Sequence, residues 1–298
     1  MPLYSYALLS AVLWAISAPI ISSGLRSLPQ QHRILAVFTG VLASQIAGTI
    51  VLGIIVIEQS AFPSVISGYA VIAGILTFPI ATGLYYFSGS AFNNRIEFAS
   101  QFVKIKPIFS VLFAVLILNE TLLFISYISL ALIVIGTLIL IVEGFRGTFN
   151  WLALGFGLLT ALSWAFGELF IKLGLISQNS ISDTFVALSS AALFSLVVFT
   201  PAVVKLIQLK VVISSWISPF LLHGIISFSI AYACFFESIK HIGLGKTVLI
   251  TAFWPILAIF FSSLVNKFKG DEYHIPVSIW FAAIILLMGS IIQAITLV

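Results

Sequence analysis

Charged side chains are scarce in this sequence. Asp, Glu, Lys and Arg together make up 7% of its 298 residues, whereas about a quarter of a typical soluble domain is charged. So few charges cannot cover a water-exposed surface, and residues of the set AVILMFWYC reach 61%. The basic residues are scattered rather than clustered, which excludes a basic nucleic-acid-binding arm. The composition therefore predicts an integral membrane protein without a nucleic-acid partner.

Cysteine is almost absent, since Cys234 is the single thiol. One cysteine excludes an internal disulfide and every metal site built from several cysteines. The sequence also lacks the HExxH, GxSxG, Walker and dinucleotide-binding glycine patterns. We therefore expect no catalytic residues, no enzyme activity, no cofactor and no metal.

Long apolar runs are what the sequence has in abundance. A helix needs roughly 20 residues to cross the hydrocarbon of a bilayer, and a run of that length must satisfy its own backbone there. The runs cover residues 4–25, 34–57, 68–91, 96–118, 122–142, 151–174, 183–208, 216–239, 246–266 and 275–297. We predict an all-α fold of ten transmembrane helices in a single membrane domain, with no soluble domain.

The first half of the sequence is repeated in the second. Under one constant offset the matching pairs include Trp14 with Trp164, Gly24 with Gly174, Gly74 with Gly224 and Phe78 with Phe228. With two residues deleted, Pro107 aligns with Pro255. We predict two repeats, 1–147 and 148–298, of five helices each. Because five is odd, the second repeat enters the membrane from the opposite face, so the repeats are inverted and can expose one central site alternately to either side.

The residues around the fourth and fifth predicted helices indicate a family. The segment 98–144 carries Lys106 and Pro107 in mid-helix, Asn119 and Glu120 at the helix end, and Gly136 in the next helix. This pattern resembles the EamA-type repeat of the drug/metabolite transporter superfamily, and the resemblance covers the chain twice. It implies a ten-helix exporter of amino acids or other small metabolites in the inner membrane of a bacterium. Lys104 together with Lys106 departs from the pattern, because the two place cations in a helix that is mostly apolar there in the family.

The side of the membrane on which the termini lie stays open. Lysine and arginine are more frequent in the predicted loops opposite the termini than in those on the termini's side, which predicts external termini. The family resemblance instead implies that both termini lie in the cytoplasm.

Two lysines in the fourth predicted helix compete for the central site. Ionisable groups within a membrane are costly and mark functional sites. Lys104 shares a helical face with Gln101, whereas Lys106 lies about 200° around the helix from Lys104. We therefore predict that Lys104, with Gln101, faces the cavity and binds an acidic group of the substrate. The alternative is a structural lysine that pairs with a glutamate or extends to the interface.

Glu168 is the predicted coupling residue. It lies deep in the sixth predicted helix, where a carboxyl group that gains and loses a proton could link transport to a proton gradient. The alternative is an ion pair with Lys172 or Lys104. Pro107 and Pro255 interrupt helices and are predicted gating hinges, or else simple bends.

Aromatic and small polar residues complete the predicted substrate-binding set. Trp14 and Trp164 occupy equivalent positions on inverted helices and should approach each other at the pseudo-twofold axis, where they either line the cavity or pack the helices. The other members are Ser17, Tyr85, Tyr232 and Trp254.

These features predict a secondary transporter that works by alternating access. We expect a small metabolite as substrate, amino-acid-like or carboxylated, which is exported or exchanged by a monomer in contact with membrane lipid and with protons as coupling ion. One alternative is a proton-coupled exporter of cationic drugs or metabolites, in which Glu168 binds the substrate. Another, from a different class, is an integral-membrane enzyme or lipid-handling protein.

Overall fold

A computed structural model describes residues 2–91, 103–145, 151–175, 179–268 and 276–296. Within these ranges the regular secondary structure is helical, and there is no strand. The α-helices are α1 Ser5–Arg26, α2 Arg33–Glu58, α3 Gly68–Ile75, α4 Thr82–Ala91, α5 Lys106–Leu116, α6 Phe124–Phe145, α7 Trp151–Gly174, α8 Ser180–Gln208, α9 Ser218–His223, α10 Tyr232–Ile242, α11 Leu244–Thr251, α12 Trp254–Phe268 and α13 Val277–Ile295.

Several of these helices join end to end into single membrane spans. A π-helix at Leu76–Ala81 connects α3 to α4, and another at Gly224–Ala231 connects α9 to α10. A two-residue turn separates α11 from α12. Within the described residues, nine such stretches are long and apolar enough to cross a membrane, and the shorter α5 lies in the remaining predicted span. The predicted all-helical, two-repeat membrane fold is confirmed.

The distribution of side chains is that of a protein surrounded by lipid. Large apolar side chains such as Ile135, Leu138 and Val142 of α6 are exposed, and water would not tolerate so continuous an apolar surface. Buried positions often carry small or polar residues, among them Ser44 and Gly48 of α2, which let helix backbones approach closely.

The crossing of α2 and α8 shows how the two repeats are related. Thr49 Oγ1 lies 3.5 Å from the carbonyl oxygen of Leu188, and a Cβ at Gly53 would lie 3.4 Å from the Phe185 ring. Moving forward along α2 therefore means moving backward along α8. These are the second helix of each repeat, and they run antiparallel.

The fifth helix of each repeat gives the same result. A Cβ at Gly136 of α6 would meet Leu286 of α13, whereas Gly289 of α13 approaches Ser129 and Ile133 of α6. Equivalent helices that cross antiparallel require one repeat to be upside down relative to the other. The predicted inverted topology is therefore present in the fold.

The two repeats interlock around a common centre. Helix α1 packs against α12 and against the α9–α10 span of the second repeat, while α7 packs against α5 and the α3–α4 span of the first. The first helix of each repeat thus packs against equivalent spans of the other repeat, as expected for two repeats related by a pseudo-twofold axis. This packing brings the first and sixth spans, which carry Trp14 and Trp164, to the middle of the molecule.

Candidate functional site

A cavity of about 50 Å³ lies where the two repeats meet. Its wall combines aromatic rings with a few polar groups contributed by both repeats. The principal lining residues are Trp14, Ser17, Thr82, Tyr85, Lys106, Trp164, His223, Ser227, Tyr232 and Trp254. The structure thus brings together six residues of the predicted substrate-binding set: Trp14, Ser17, Tyr85, Trp164, Tyr232 and Trp254.

The aromatic wall consists of rings in edge and tilted contacts. The Trp14 ring centroid lies 5.1 Å from that of Tyr232 and 6.4 Å from that of Trp254. On the other side, the Tyr85 and Trp164 centroids are 5.2 Å apart. Such rings provide a stiff apolar surface whose faces attract cations.

The π-helix of the third span orients one of these tryptophans. A π-helix widens the turn and changes which carbonyl groups find partners within the helix, and Pro79 inside Leu76–Ala81 has no N–H to donate. The Thr77 carbonyl accepts a hydrogen bond from Trp164 Nε1–H at 3.0 Å, and the Leu76 carbonyl accepts one from the Ser163 hydroxyl at 3.0 Å. Two hydrogen bonds therefore hold the sixth span against the third.

The π-helix of the eighth span contributes at the equivalent place. Ser227 Oγ lies 2.6 Å from Ser17 Oγ, and the Ser17 hydroxyl also lies within hydrogen-bonding distance, 2.8 Å, of the Trp14 carbonyl oxygen. Both serines are buried and line the cavity. They place polar atoms in an otherwise aromatic wall.

An ion pair lies at the edge of the cavity. Lys106 Nζ donates to Glu168 Oε1, and the Ser110 hydroxyl donates to Glu168 Oε2. Lys106 and Ser110 belong to α5, one turn apart, and Glu168 to α7. All three are buried, and each carboxylate oxygen has a donor, as a buried charge requires.

The lysine of this pair also faces two aromatic rings. Lys106 Nζ is 5.7 Å from the centroid of Trp14 and 5.6 Å from that of Phe235, within the range of a cation–π contact. Lys106 lines the cavity. Lys106 therefore contributes a positive charge to the cavity wall, and its ion pair with Glu168 fixes the position of its ammonium group.

A family model matches this chain twice. The model of the EamA-like transporter family covers residues 1–142 and 151–295. The chain belongs to the EamA-like transporter family. The predicted resemblance is thereby confirmed, and with it a multi-pass membrane protein of the drug/metabolite transporter type, a family of transporters rather than enzymes.

Comparison with other proteins adds likeness of fold. One crystal structure superposes on this EamA-like transporter with a TM-score of 0.71, covers 99% of this chain and 96% of its own, and shares 15% sequence identity. At that identity the likeness is one of fold alone. A search of curated proteins gives no match.

The choice of Lys104 over Lys106 as the cavity lysine was wrong. Lys106 lines the central cavity of the EamA-like transporter, whereas Lys104 is buried in a smaller neighbouring cavity. In the sequence, Lys104 has more polar neighbours on its own helical face than Lys106 has. The partner that positions Lys106 is Glu168 on another helix, and helical spacing within the fourth span cannot reveal it.

The remaining predicted residues are placed as follows. Glu168 pairs with Lys106, not with Lys172, whose ammonium donates to the Ile239 carbonyl at 3.2 Å. Pro107 lies in the first turn of α5 and Pro255 in that of α12, each just after a two-residue turn that interrupts its span. Gln101 lies outside the described residues.

Four polar lining residues were missed by the sequence reasoning: Lys106, Thr82, His223 and Ser227. The repeat alignment contained a signal for Lys106, because the register that pairs Pro107 with Pro255 also pairs Lys106 with Trp254, and Trp254 was in the predicted set. His223 gave no comparable signal. Its ring is buried, and Nδ1 has no hydrogen-bond partner among the described residues.

Proposed function

We propose that this protein is a secondary active transporter that exports or exchanges a small amino-acid-like or carboxylated metabolite by alternating access, as a monomer in the inner membrane of a bacterium. The observation that carries the proposal is the buried Lys106–Glu168 pair at the edge of an aromatic cavity between inverted repeats. Lys106 takes the role that the sequence reasoning gave to Lys104.

The charges of the pair match those of a zwitterion. A substrate with one carboxylate and one ammonium group brings the same two charges that Lys106 and Glu168 already hold. Its carboxylate can pair with Lys106 while its ammonium group meets Glu168 or the faces of the aromatic rings. Partners are exchanged without leaving a buried charge unpaired, which would be strongly unfavourable.

The size of the cavity favours a small substrate. A cavity of about 50 Å³ holds a few water-sized volumes, since one water needs roughly 10–15 Å³ on this measure. In the conformation described here there is room for a small metabolite and not for a lipid chain. This supports metabolite transport over lipid handling.

Glu168 is the residue through which we propose proton coupling. A protonated Glu168 no longer neutralises Lys106 and so frees the lysine for a substrate carboxylate. The sequence has no Walker motif, and we infer that an ion gradient or the substrate's own gradient provides the energy.

The alternative of a cationic substrate is less well supported. A cation without a carboxylate would have to displace Lys106 from Glu168 and would offer the lysine no new partner, whereas both oxygens of Glu168 accept hydrogen bonds from Lys106 and Ser110. The charge presented to the cavity is that of the lysine.

Uptake into liposomes tests the proposal. Purified protein would be reconstituted and tested with radiolabelled zwitterionic amino acids, carboxylates without an amine and amines without a carboxylate, each with and without a pH gradient. We expect transport of a carboxylated compound, stimulation by the gradient, and loss of that stimulation in Glu168→Gln. Transport of amines alone, or of nothing under either condition, would overturn the proposal.

A further inference from the structure

A smaller cavity lies beside the central one, between the fourth and ninth spans. Its volume is about 10 Å³, enough for one water-sized particle. Lys106 and Trp254 separate it from the central cavity, because both residues line both spaces. The other residues that matter here are Lys104, Pro107, Thr251 and Pro255.

Lys104 lines this space, and among the described residues its side-chain nitrogen has no partner. Its side chain is 4% exposed. The carboxylate of Glu168 is occupied by Lys106 and Ser110. The hydroxyl of Thr251 is directed to the Val248 carbonyl at 3.2 Å. A buried ammonium group without a counter-charge is strongly unfavourable.

Two helix starts lie in the cavity wall, next to the last turn of α11. Helix α5, of 11 residues, begins at Lys106, and α12, of 15 residues, begins at Trp254. Both first residues, and the prolines that follow them, line this cavity. The N-terminal end of an α-helix carries a partial positive charge that favours anions, and broken helices of this kind form ion sites in other transporters.

We propose that this cavity binds one small monovalent anion of the size of chloride, held by Lys104 Nζ between the starts of α5 and α12. The anion neutralises the lysine that Glu168 does not reach. The site is separate from the central cavity and requires no transported substrate. A space of about 10 Å³ has room for one water molecule or a single-atom ion and excludes a whole metabolite.

Bromide binding to the full-length protein in detergent tests this proposal. Protein in chloride-free sodium gluconate would be titrated with sodium bromide at constant ionic strength, with the thermal unfolding midpoint and tryptophan fluorescence as readouts. We expect a saturable rise of the midpoint and saturable quenching, because Trp254 lines the cavity and bromide quenches indole. In Lys104→Met the half-saturating bromide concentration should rise at least about tenfold.

Lys210→Met is the matched control, because it removes an exposed lysine charge and should leave the bromide response unchanged. A wild-type protein without a saturable response, or a Lys104→Met variant that keeps it, would overturn the proposal. If Lys104→Met fails to fold, anomalous diffraction from bromide-grown wild-type crystals decides. A bromide peak beside Lys104 Nζ supports the site, and an empty or water-filled cavity contradicts it. Neither experiment uses a transported substrate. A negative result would therefore overturn the anion site and leave the proposed transport activity untouched.

Discussion

Lys106 and Glu168 give the pseudo-symmetric cavity its asymmetry. In the repeat alignment the position of Lys106 is taken by Trp254 and that of Glu168 by Ala18, both of which also line the cavity. Aromatic and small residues therefore obey the twofold relation, whereas the ion pair occurs on one side only. A bound substrate can for this reason adopt one preferred orientation in a site whose walls are otherwise nearly equivalent.

Removing both members of the pair should destabilise the protein by less than the sum of the two single removals. Lys106→Met or Glu168→Gln alone leaves a buried charge or donor without its partner, a loss of about 3–5 kcal/mol in comparable buried pairs. In the double variant no charge of the pair remains. Its loss of unfolding free energy should therefore be smaller than the sum of the two single losses. Thermal or denaturant unfolding in detergent measures this, and strictly additive losses would show that the two residues do not interact.

Symmetry in the sequence indicated which aromatic residues lie at the centre of the molecule. Trp14 and Trp164 were found because the repeat places them on equivalent inverted helices, and both line the cavity. The choice of Lys104 failed because α5 starts anew at Lys106 and because its partner lies on α7, beyond the reach of helical periodicity. The sequence alone cannot indicate which of two nearby lysines meets a distant glutamate.

At the scale of helices, two glycines set the contacts between repeats. A Cβ at Gly74 would lie 2.0 Å from the carbonyl oxygen of Ala187, and one at Gly224 would lie 2.0 Å from that of Ser44. Backbone atoms cannot yield as a flexible side chain would. The third span therefore packs against α8, and the eighth against α2, at a distance that only glycine permits.

Alanine at either glycine should force the two helices apart. We expect Gly74→Ala and Gly224→Ala each to lower the unfolding free energy by about 1–3 kcal/mol, as overpacking does. Gly155→Ala is the matched control, since nothing lies within 4 Å of its Cβ position, and helix propensity there should raise stability slightly. Thermal unfolding in detergent compares the three variants. Equal effects at all three sites would contradict the assigned contacts.

Glu120 joins the repeats on the side of the membrane where the termini lie. Its carboxylate accepts the N–H of Leu244 at 2.8 Å and that of Gly245 at 2.9 Å, at the first turn of α11. Gly243, with φ of 87°, occupies a conformation that favours glycine, and a Cβ there would lie 3.0 Å from the carboxylate. The family motif residue is thus a cap on a helix of the other repeat.

Glu120→Gln should weaken this cap. The glutamine amide turns one acceptor into a donor facing a backbone N–H, so we expect the unfolding free energy to fall by about 1 kcal/mol. If the contact opens during transport, the rate of substrate exchange in liposomes should also change. Glu58→Gln, which neutralises an exposed carboxylate at the end of α2, serves as control. A Glu120→Gln protein with wild-type stability and exchange would rule out this role for the cap.

Helix positions were largely predictable, and their irregularities were not. The run at 34–57 corresponds to α2 at Arg33–Glu58, because roughly 20 apolar residues in a bilayer leave few alternatives to a helix. The π-helices at Leu76–Ala81 and Gly224–Ala231 each make a hydrogen bond to a neighbouring span, at Thr77 and at Ser227. Only the first contains a proline, so a sequence rule would have missed the second.

For the molecule as a whole, parity and repetition were sufficient to predict the inverted arrangement. An odd number of spans per repeat leaves no other topology, and the antiparallel crossings of α2 with α8 and of α6 with α13 agree. What symmetry could not provide is the asymmetric ion pair, which the function proposed here requires. The central claim is therefore that a small carboxylated molecule crosses the membrane through this cavity by meeting Lys106.

Counterflow in liposomes tests that claim most directly. Vesicles loaded with an unlabelled zwitterionic amino acid that the wild-type protein transports would be diluted into a trace of the radiolabelled compound. We expect the labelled compound to accumulate transiently with the wild type and with Lys210→Met. This accumulation should be lost in Lys106→Met, once a thermal unfolding measurement has shown that the variant is folded. Undiminished counterflow in folded Lys106→Met would contradict the account.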